Sequence, residues 1–354
     1  MVEVAKALAT GLAAGGEPVL LLDEPTSVLE QQDIATLFEV IHRLRSQSSV
    51  VFVSHRLEEV LEICDRIYVL RDGQVVAERI PAEVNVSEIF RLMVGRELTS
   101  TYFREDLQEA PSQGVRFRLE GASGSGFHDI SLAVRAGEVV SVMGVQESGR
   151  DAVGRAIFGA QPLAGGTMTL DGRQVRFTTP ADAVRAGVGY VPSERKVDGA
   201  LLGMTIAENM TLAHMKQVTT AGVLNPRRQA ELVNQWIEKL RIKTPNSGVY
   251  MRNLSGGNQQ KVVLAKWLID DRLRFLVLDT PTRGLDVGAK ADLYALIREL
   301  ASSGLAVLLL ADSLEEGIYM SHRVITMKDG RITGEFESAA GSRPSRAQVV
   351  ERMV

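Results

Sequence analysis

Two copies of one loop stand far apart in this chain. Asp23-Glu24-Pro25-Thr26-Ser27 and Asp279-Thr280-Pro281-Thr282-Arg283 each end an apolar run. The flanking segments repeat in step. Residues 4–8 echo 264–268, Leu57-Glu58-Glu59 echoes Leu314-Glu315-Glu316, and 66–73 echoes 323–330, at separations of 256 to 260 positions. So long a period means duplicated domains and not a solenoid of short units. The copies are unequal. The second has about 150 residues ahead of the shared region, from near Gly114 to Lys261, and the first has none within this sequence. The pattern divides the chain into a partial domain over 1–99, a linker over 100–113 and a complete domain over 114–354. It also carries the expectation of an in-frame upstream segment of about 150 residues.

Composition narrows the function classes. A net charge of −4 over 354 residues leaves no electrostatic footprint for nucleic acid. The single cysteine, Cys64, permits no internal disulfide and fits a reducing compartment. Apolar runs such as 306–311 are far too short to span a bilayer, so work at a membrane would be peripheral.

The spacing predicts α/β architecture. In the first copy it predicts a helix over 2–12, strand 19–22, helix 31–45, strand 50–54, helix 57–63, a hairpin of 66–70 and 74–77 turning at Asp72-Gly73, and a helix over 87–94. The strands are unbroken Val/Leu/Phe runs without polar alternation, which predicts parallel strands covered on both faces. The second copy opens with strand 115–119, a Gly/Ser loop over 121–126 and strand 130–134. A buried strand over 139–143 then runs into a glycine-bearing turn and helix, and a polar, helix-rich stretch over 205–240 follows.

Several motifs in this frame carry chemistry. Ser255, Gly256 and Gly257 open a helix whose Val263/Trp267 and Leu264/Leu268 pairs share an apolar face. Two glycines let backbone N–H groups approach an anion, Ser255 adds a hydroxyl, and the helix start adds its positive end, which suits a γ-phosphate. Ser-Gly-Gly alone is better read as an N-cap with loop glycines. The following Gln259-Gln260, and an apolar strand ending in Asp279, favour the phosphate. Asp23 and Glu24 end a buried-type strand, where open α/β sheets bind ligands. Asp23 suits Mg²⁺, Glu24 suits orienting or deprotonating the attacking water, and His55, after the next strand, can donate to the leaving phosphate.

The second copy has a candidate phosphate loop in Gly144, Ser148, Gly149, Arg150 and Asp151. It keeps the G-x-x-x-x-G frame of a P-loop without the Lys-Ser/Thr ending. Arg150 retains a positive charge as a planar fork. Asp151 replaces the hydroxyl that would ligate Mg²⁺, and Glu147 adds a second anion. Weak nucleotide binding, or a purely structural βα turn, are both open readings of this loop. Thr280 stands where Glu24 stands and cannot act as a base near neutral pH. Asp312 stands where His55 stands.

These residues resemble ABC-type ATPases, a branch of the P-loop NTPases. More narrowly, the chain resembles the tandem ATP-binding subunits of bacterial monosaccharide importers, one cassette here partial and one complete. On that resemblance Leu254–Gln260 is the signature motif, Asp23-Glu24 and Asp279 belong to Walker B segments in which Asp23 and Asp279 are the expected Mg²⁺ residues, Val28-Leu29-Glu30 lies in a D-loop and His55 is the switch histidine. Met93–Leu98 looks like the inter-domain junction, and Tyr190–Lys196 like a Q-loop region with Ser193 where Gln or Glu is expected. The resemblance implies ATP and Mg²⁺ as cofactors, with ATP held between the P-loop of one unit and the signature of the other. It also implies membrane permease partners, an indirect link to a periplasmic or extracellular sugar-binding protein, and a place on the cytoplasmic face of the membrane. Other classes remain: a pseudo-ATPase that docks on a permease without turnover, or a soluble tandem protein of ribosomes or DNA.

Overall fold

The computed structural model describes residues 6, 19–26, 31–45, 48–54, 56–71, 73–94, 102–339 and 341–354. The chain divides into two compact units, Met1–Thr99 and Ser100–Val354, with Asp286–Gly288 set apart from the second.

In the first unit the elements follow as β1 (Val19–Asp23), α1 (Gln31–Leu44), β2 (Ser49–Val53), α2 (Leu57–Ile63), the hairpin β3 (Ile67–Arg71) and β4 (Gln74–Arg79), and α3 (Val86–Val94). β1 and β2 pair in parallel, from Val19 opposite Ser49 to Asp23 opposite Val53. Leu20 and Leu22 pack with Leu37, Phe38, Ile41 and Ile63. The helix α1 turns its apolar stripe onto one face of the strand pair, the usual amphipathic solution. The other face differs from the expectation of two-sided cover: Val19 is 64% exposed and Leu21 72%. Among the described residues β1 pairs only with β2, so the unit forms a half-covered ribbon. The helix expected over 2–12 lies outside the described residues apart from Lys6, as does Asp72 of the expected turn.

The second unit contains β5 (Val115–Gly124), β6 (Phe127–Arg135), β7 (Val139–Met143), α4 (Arg150–Ile157), β8 (Leu163–Leu170), β9 (Arg173–Val175), α5 (Pro180–Ala186), β10 (Val188–Val191), α6 (Ile206–Thr211), the small ribbon β11 (Thr219–Thr220) and β12 (Val223–Leu224), and α7 (Pro226–Lys239). Then come α8 (Gly256–Leu268), β13 (Phe275–Asp279), α9 (Val287–Ser302), β14 (Ala306–Leu310), α10 (Leu314–Met320), β15 (Arg323–Lys328), β16 (Arg331–Glu337) and α11 (Arg346–Met353). The main sheet runs β10-β13-β14-β7-β15-β16. Its first five strands are parallel and β16 is antiparallel. Every residue of β7, β13 and β14 is buried. Here two-sided cover holds, and each fully buried aliphatic side chain contributes about 1.5–3 kcal/mol.

An antiparallel sheet, β6-β5-β8-β9, forms a second layer. The expected loop over 121–126 is mostly strand, since β5 continues to Gly124 through register shifts at Ala122 and Gly124. Bulges let the ladder absorb glycines that a sequence reading assigns to a loop. Residues 102–109, in the expected linker, dock on this unit. Phe103 stacks on Tyr319 with ring centres 5.2 Å apart, and Arg343 pairs with Glu105 at 2.7 Å. The buried His322 takes the Val139 N–H on Nδ1 at 3.0 Å and lies 2.9 Å from the Glu109 carbonyl through Nε2.

Candidate functional site

The carboxylate loop leaves its strand in the same way in both units. The N–H of Glu24 donates to the Val53 carbonyl at 2.8 Å, and the N–H of Thr280 donates to the Leu310 carbonyl at 2.9 Å. Both residues sit at positive φ, +48° and +40°. Left-handed backbone at a non-glycine residue, and at a β-branched one above all, is strained and persists only where surrounding contacts fix it. Each loop therefore turns sharply off the end of a parallel strand and sets the residue after the aspartate above the neighbouring strand. Asp23 is exposed at the end of β1 and Glu24 is half-buried beside it. His55 lies outside the described residues.

In the second unit the aspartate is already engaged. Tyr190 at the end of β10 donates its hydroxyl to Asp279 Oδ2 at 2.7 Å. Burial pushes the Asp279 carboxyl up, with the nearby Asp151 adding to it, while the Tyr190 bond opposes the shift. Burial, reinforced by Asp279, pushes the Tyr190 hydroxyl far up as well, so it stays a donor. Tyr190 was visible in the sequence only as part of a Q-loop-like stretch. Its role at Asp279 depends on β10 lying next to β13, which no local signal reveals.

The glycine-bearing turn after β7 also departs from a working phosphate loop. Arg150 Nη1 donates to the Ala311 carbonyl at 2.6 Å, and its Nε lies 3.3 Å from Asp151. The cation that replaces the P-loop lysine thus spends its fork inside the protein. Gly149 has φ +90°, and a Cβ there would stand 2.2 Å from the Gly126 carbonyl, so this glycine is required by the backbone itself. Ser148 folds over Gly144, with its Oγ 2.3 Å from where a Cβ on that glycine would sit. That Oγ is buried and has no hydrogen-bond partner among the described residues. An orphaned donor of this kind fits a phosphate oxygen; the Arg150 and Asp151 contacts fit one poorly. Mg²⁺ does not fit this unit as it stands, because Asp279 is held by Tyr190 and no hydroxyl occupies position 151. Among the described residues no three His, Cys, Asp or Glu side chains group as a metal site.

The serine-glycine motif is better placed. Ser255 is the N-cap residue of α8, but its side chain caps no backbone N–H. Its Oγ accepts from Asn258 Nδ2 at 2.9 Å, which leaves the hydroxyl proton free to donate outward. Gly256 begins the helix. Gly257 has a packing reason besides ligand approach: a Cβ there would lie 2.7 Å from the Ala289 methyl. Gln259 is structural, donating to the Met251 and Leu254 carbonyls and accepting from Arg195 Nε at 3.2 Å. The motif is thereby braced from below while Ser255 remains open.

The chain's similarities to known proteins follow the same lines. A family model described as ABC transporter matches residues 127–283. A ribose import ATP-binding protein of Chromobacterium violaceum is 41% identical over 97% of this chain and 67% of its own length. Its counterpart in Bacillus subtilis is 41% identical over 96% and 67%. A putative ribose/galactose/methyl galactoside import ATP-binding protein of Albidiferax ferrireducens is 40% identical over 95% and 65%. The chain thus spans about two thirds of the length of these relatives. Among solved structures, the ATP-binding cassette MJ1267 in its ADP conformation matches with TM-score 0.56 at 20% identity, over 67% of this chain and 98% of its own. At that identity the likeness shows the shared fold.

Proposed function

The chain belongs to the family of ATP-binding subunits of sugar-importing ABC transporters, and from that premise we propose that it serves as the energy-coupling ATPase part of a sugar importer. The observation that carries the reading is the asymmetry of one duplicated loop. The same left-handed turn, bonded to the neighbouring strand, presents a carboxylate at Glu24 and a hydroxyl at Thr280. In this reading Asp23 holds Mg²⁺, Glu24 orients and deprotonates water, and Ser255 with the Gly256 and Gly257 amides receives the γ-phosphate of an ATP seated on another cassette's P-loop. Phosphoryl transfer needs positioning and charge stabilisation above all, which these groups supply. His55 keeps its sequence-level role as donor to the leaving phosphate. The second unit's own loop, Gly144 to Asp151, serves as a nucleotide seat of low affinity without turnover. Its Tyr190–Asp279 and Arg150–Ala311 contacts favour this assignment.

Membrane permease subunits are the proposed partners, with the sugar-binding protein reached through them, and the cytoplasmic membrane face is the proposed location. Among the described residues no helix is long and apolar enough to cross a membrane. The test is ATP hydrolysis, measured for this chain alone and for a form extended upstream by a family-type glycine-rich phosphate loop. The chain alone should run at background, because no glycine-rich phosphate loop precedes Glu24 in this sequence. In the extended form Glu24→Gln should nearly abolish turnover, while Thr280→Ala should change it less than twofold. Equal losses from the two substitutions would refute the asymmetric assignment.

A further inference from the structure

The duplication extends to a buried tie that the proposed chemistry does not use. In the first unit Thr26, fully buried two residues after Glu24, donates its hydroxyl to Glu59 Oε2 at 2.6 Å. Glu59 Oε1 takes Arg56 Nη1 at 3.0 Å. In the second unit the counterparts are Thr282 and Glu316, both 1% exposed. Glu316 Oε2 accepts the Asp312 N–H at 2.7 Å, and the Thr282 side chain lies against the same carboxyl. In both copies, then, a glutamate at the start of the helix after the neighbouring strand reaches back to two places. One is the threonine that follows the carboxylate position. The other is the short segment joining its own strand and helix, reached at Arg56 or Asp312.

We propose that Glu59 and Glu316 are positioning residues that bind these two loops into one rigid block, so that the residue at position 24 or 280 is held at its left-handed turn. The strain there supplies the reason. A non-glycine residue at positive φ is strained and needs contacts that over-determine it. The Glu24–Val53 and Thr280–Leu310 bonds hold the loop from the strand side. The threonine–glutamate tie holds it from the helix side, two residues further on. A short hydroxyl-to-carboxylate bond is of the stronger charge-assisted kind. Its conservation between copies, when the residue it supports has changed from Glu to Thr, indicates that the tie serves the loop's shape. Its consequence for hydrolysis rests on the assignment of Glu24 above; the tie itself does not.

Hydrogen exchange on the full chain tests the tie without nucleotide, so its outcome is separate from that of the ATPase assays. Thr26→Val and Glu59→Gln should each speed exchange about tenfold or more in peptides covering 19–26 and 54–60, with 67–79 unchanged. The double variant should exchange no faster than the faster single one. Thr26→Ser, which keeps the hydroxyl, should restore wild-type protection. Should the first unit fail to fold in these variants, Thr282→Val and Thr282→Ser in the second unit give the same comparison over 280–283 and 312–316. Serine variants that behave like valine ones, additive double variants, or exchange rising evenly across the unit would each overturn the proposal.

Discussion

Replacing Glu316 with glutamine should remove a pH-dependent weakness from the second unit. Burial raises the Glu316 carboxyl from its ordinary 4.5 to about 7. The N–H of Asp312 and the Thr282 side chain pull it back down, as does Lys290, and the Asp312 charge pushes it up. Tyr294 and, beyond it, Tyr102 complete the surroundings. Glu316 Oε1 has no hydrogen-bond partner among the described residues, which suits a protonated acid. A carboxyl whose folded value lies above its unfolded one contributes fully below about pH 4.5, and its contribution is lost as pH rises through about 7. At about 1.4 kcal/mol per pH unit across that gap, the loss is about 3 kcal/mol. For a domain of this size that corresponds to a fall in Tm of about 6–12 °C. Glutamine fills the same space, can still accept the Asp312 N–H, and does not titrate. The protein's two tryptophans, Trp236 and Trp267, both lie in the second unit, so their fluorescence follows its unfolding selectively. Thermal unfolding from pH 4.5 to 8.5 should show wild type falling relative to Glu316→Gln by that amount, with the separation opening between pH 5 and 7. Parallel curves would refute the reasoning, because other titrating groups are common to both proteins.

Two further outcomes follow from the contrast between the units. Leu21 is 72% exposed in β1, whereas its counterpart Val277 is fully buried in β13. Leu21→Ser should therefore shift first-unit exchange protection by less than about 0.5 kcal/mol, whereas Val277→Ser should cost the second unit about 2–4 kcal/mol by tryptophan-monitored denaturation. Comparable costs would show that the open face of β1 is covered in solution. Tyr190→Phe strips the donor from the buried Asp279 and should cost about 1–3 kcal/mol at pH 8. The cost should shrink in acid, where the raised Asp279 carboxyl takes up its own proton; a pH-independent loss would mean that Tyr190 acts by ring packing alone.

How much of this was legible in the sequence depended on how local each cause was. The unbroken aliphatic run ahead of Asp279 marks β13 because that strand is buried on both faces, and the same kind of run misleads for β1 and β2. A sequence pattern records what a strand is built to be covered by, and the two faces of Val19–Asp23 are chemically alike while only one is packed. The loop over 121–126 was read from its glycines, yet strand pairing with β6 and β8 carried the chain through to Gly124. Ser255 and its glycines were readable from spacing, since helix-start geometry is set within a few residues. The Tyr190–Asp279 bond joins positions 89 apart, and the Arg150–Ala311 bond joins positions 161 apart, so neither had a local signature. The repeat did hold one clue to long-range contacts: Leu57-Glu58-Glu59 and Leu314-Glu315-Glu316 keep the glutamates that the structure shows reaching to Thr26 and Asp312.

The two copies separate what the fold demands of this loop from what hydrolysis demands. Positive φ, the backbone bond to the neighbouring strand and the threonine–glutamate contact persist in both units, although only one copy presents a carboxylate. On the proposed assignment, the second cassette keeps this turn without the carboxylate, lysine and hydroxyl that Thr280, Arg150 and Asp151 stand in for. Two side chains also turn inward: Arg150 donates to the Ala311 carbonyl and Tyr190 to the buried Asp279 carboxylate. A cassette that holds Asp279 and the Arg150 fork in internal bonds needs no ligand to satisfy these groups. It is correspondingly slow to release Asp279 or the Arg150 fork to an incoming phosphate, since each bond must break before the ligand gains its own. On this argument reverting Arg150 to lysine alone would not restore tight nucleotide binding to the second unit, because the Tyr190 contact and the Asp151 charge would remain.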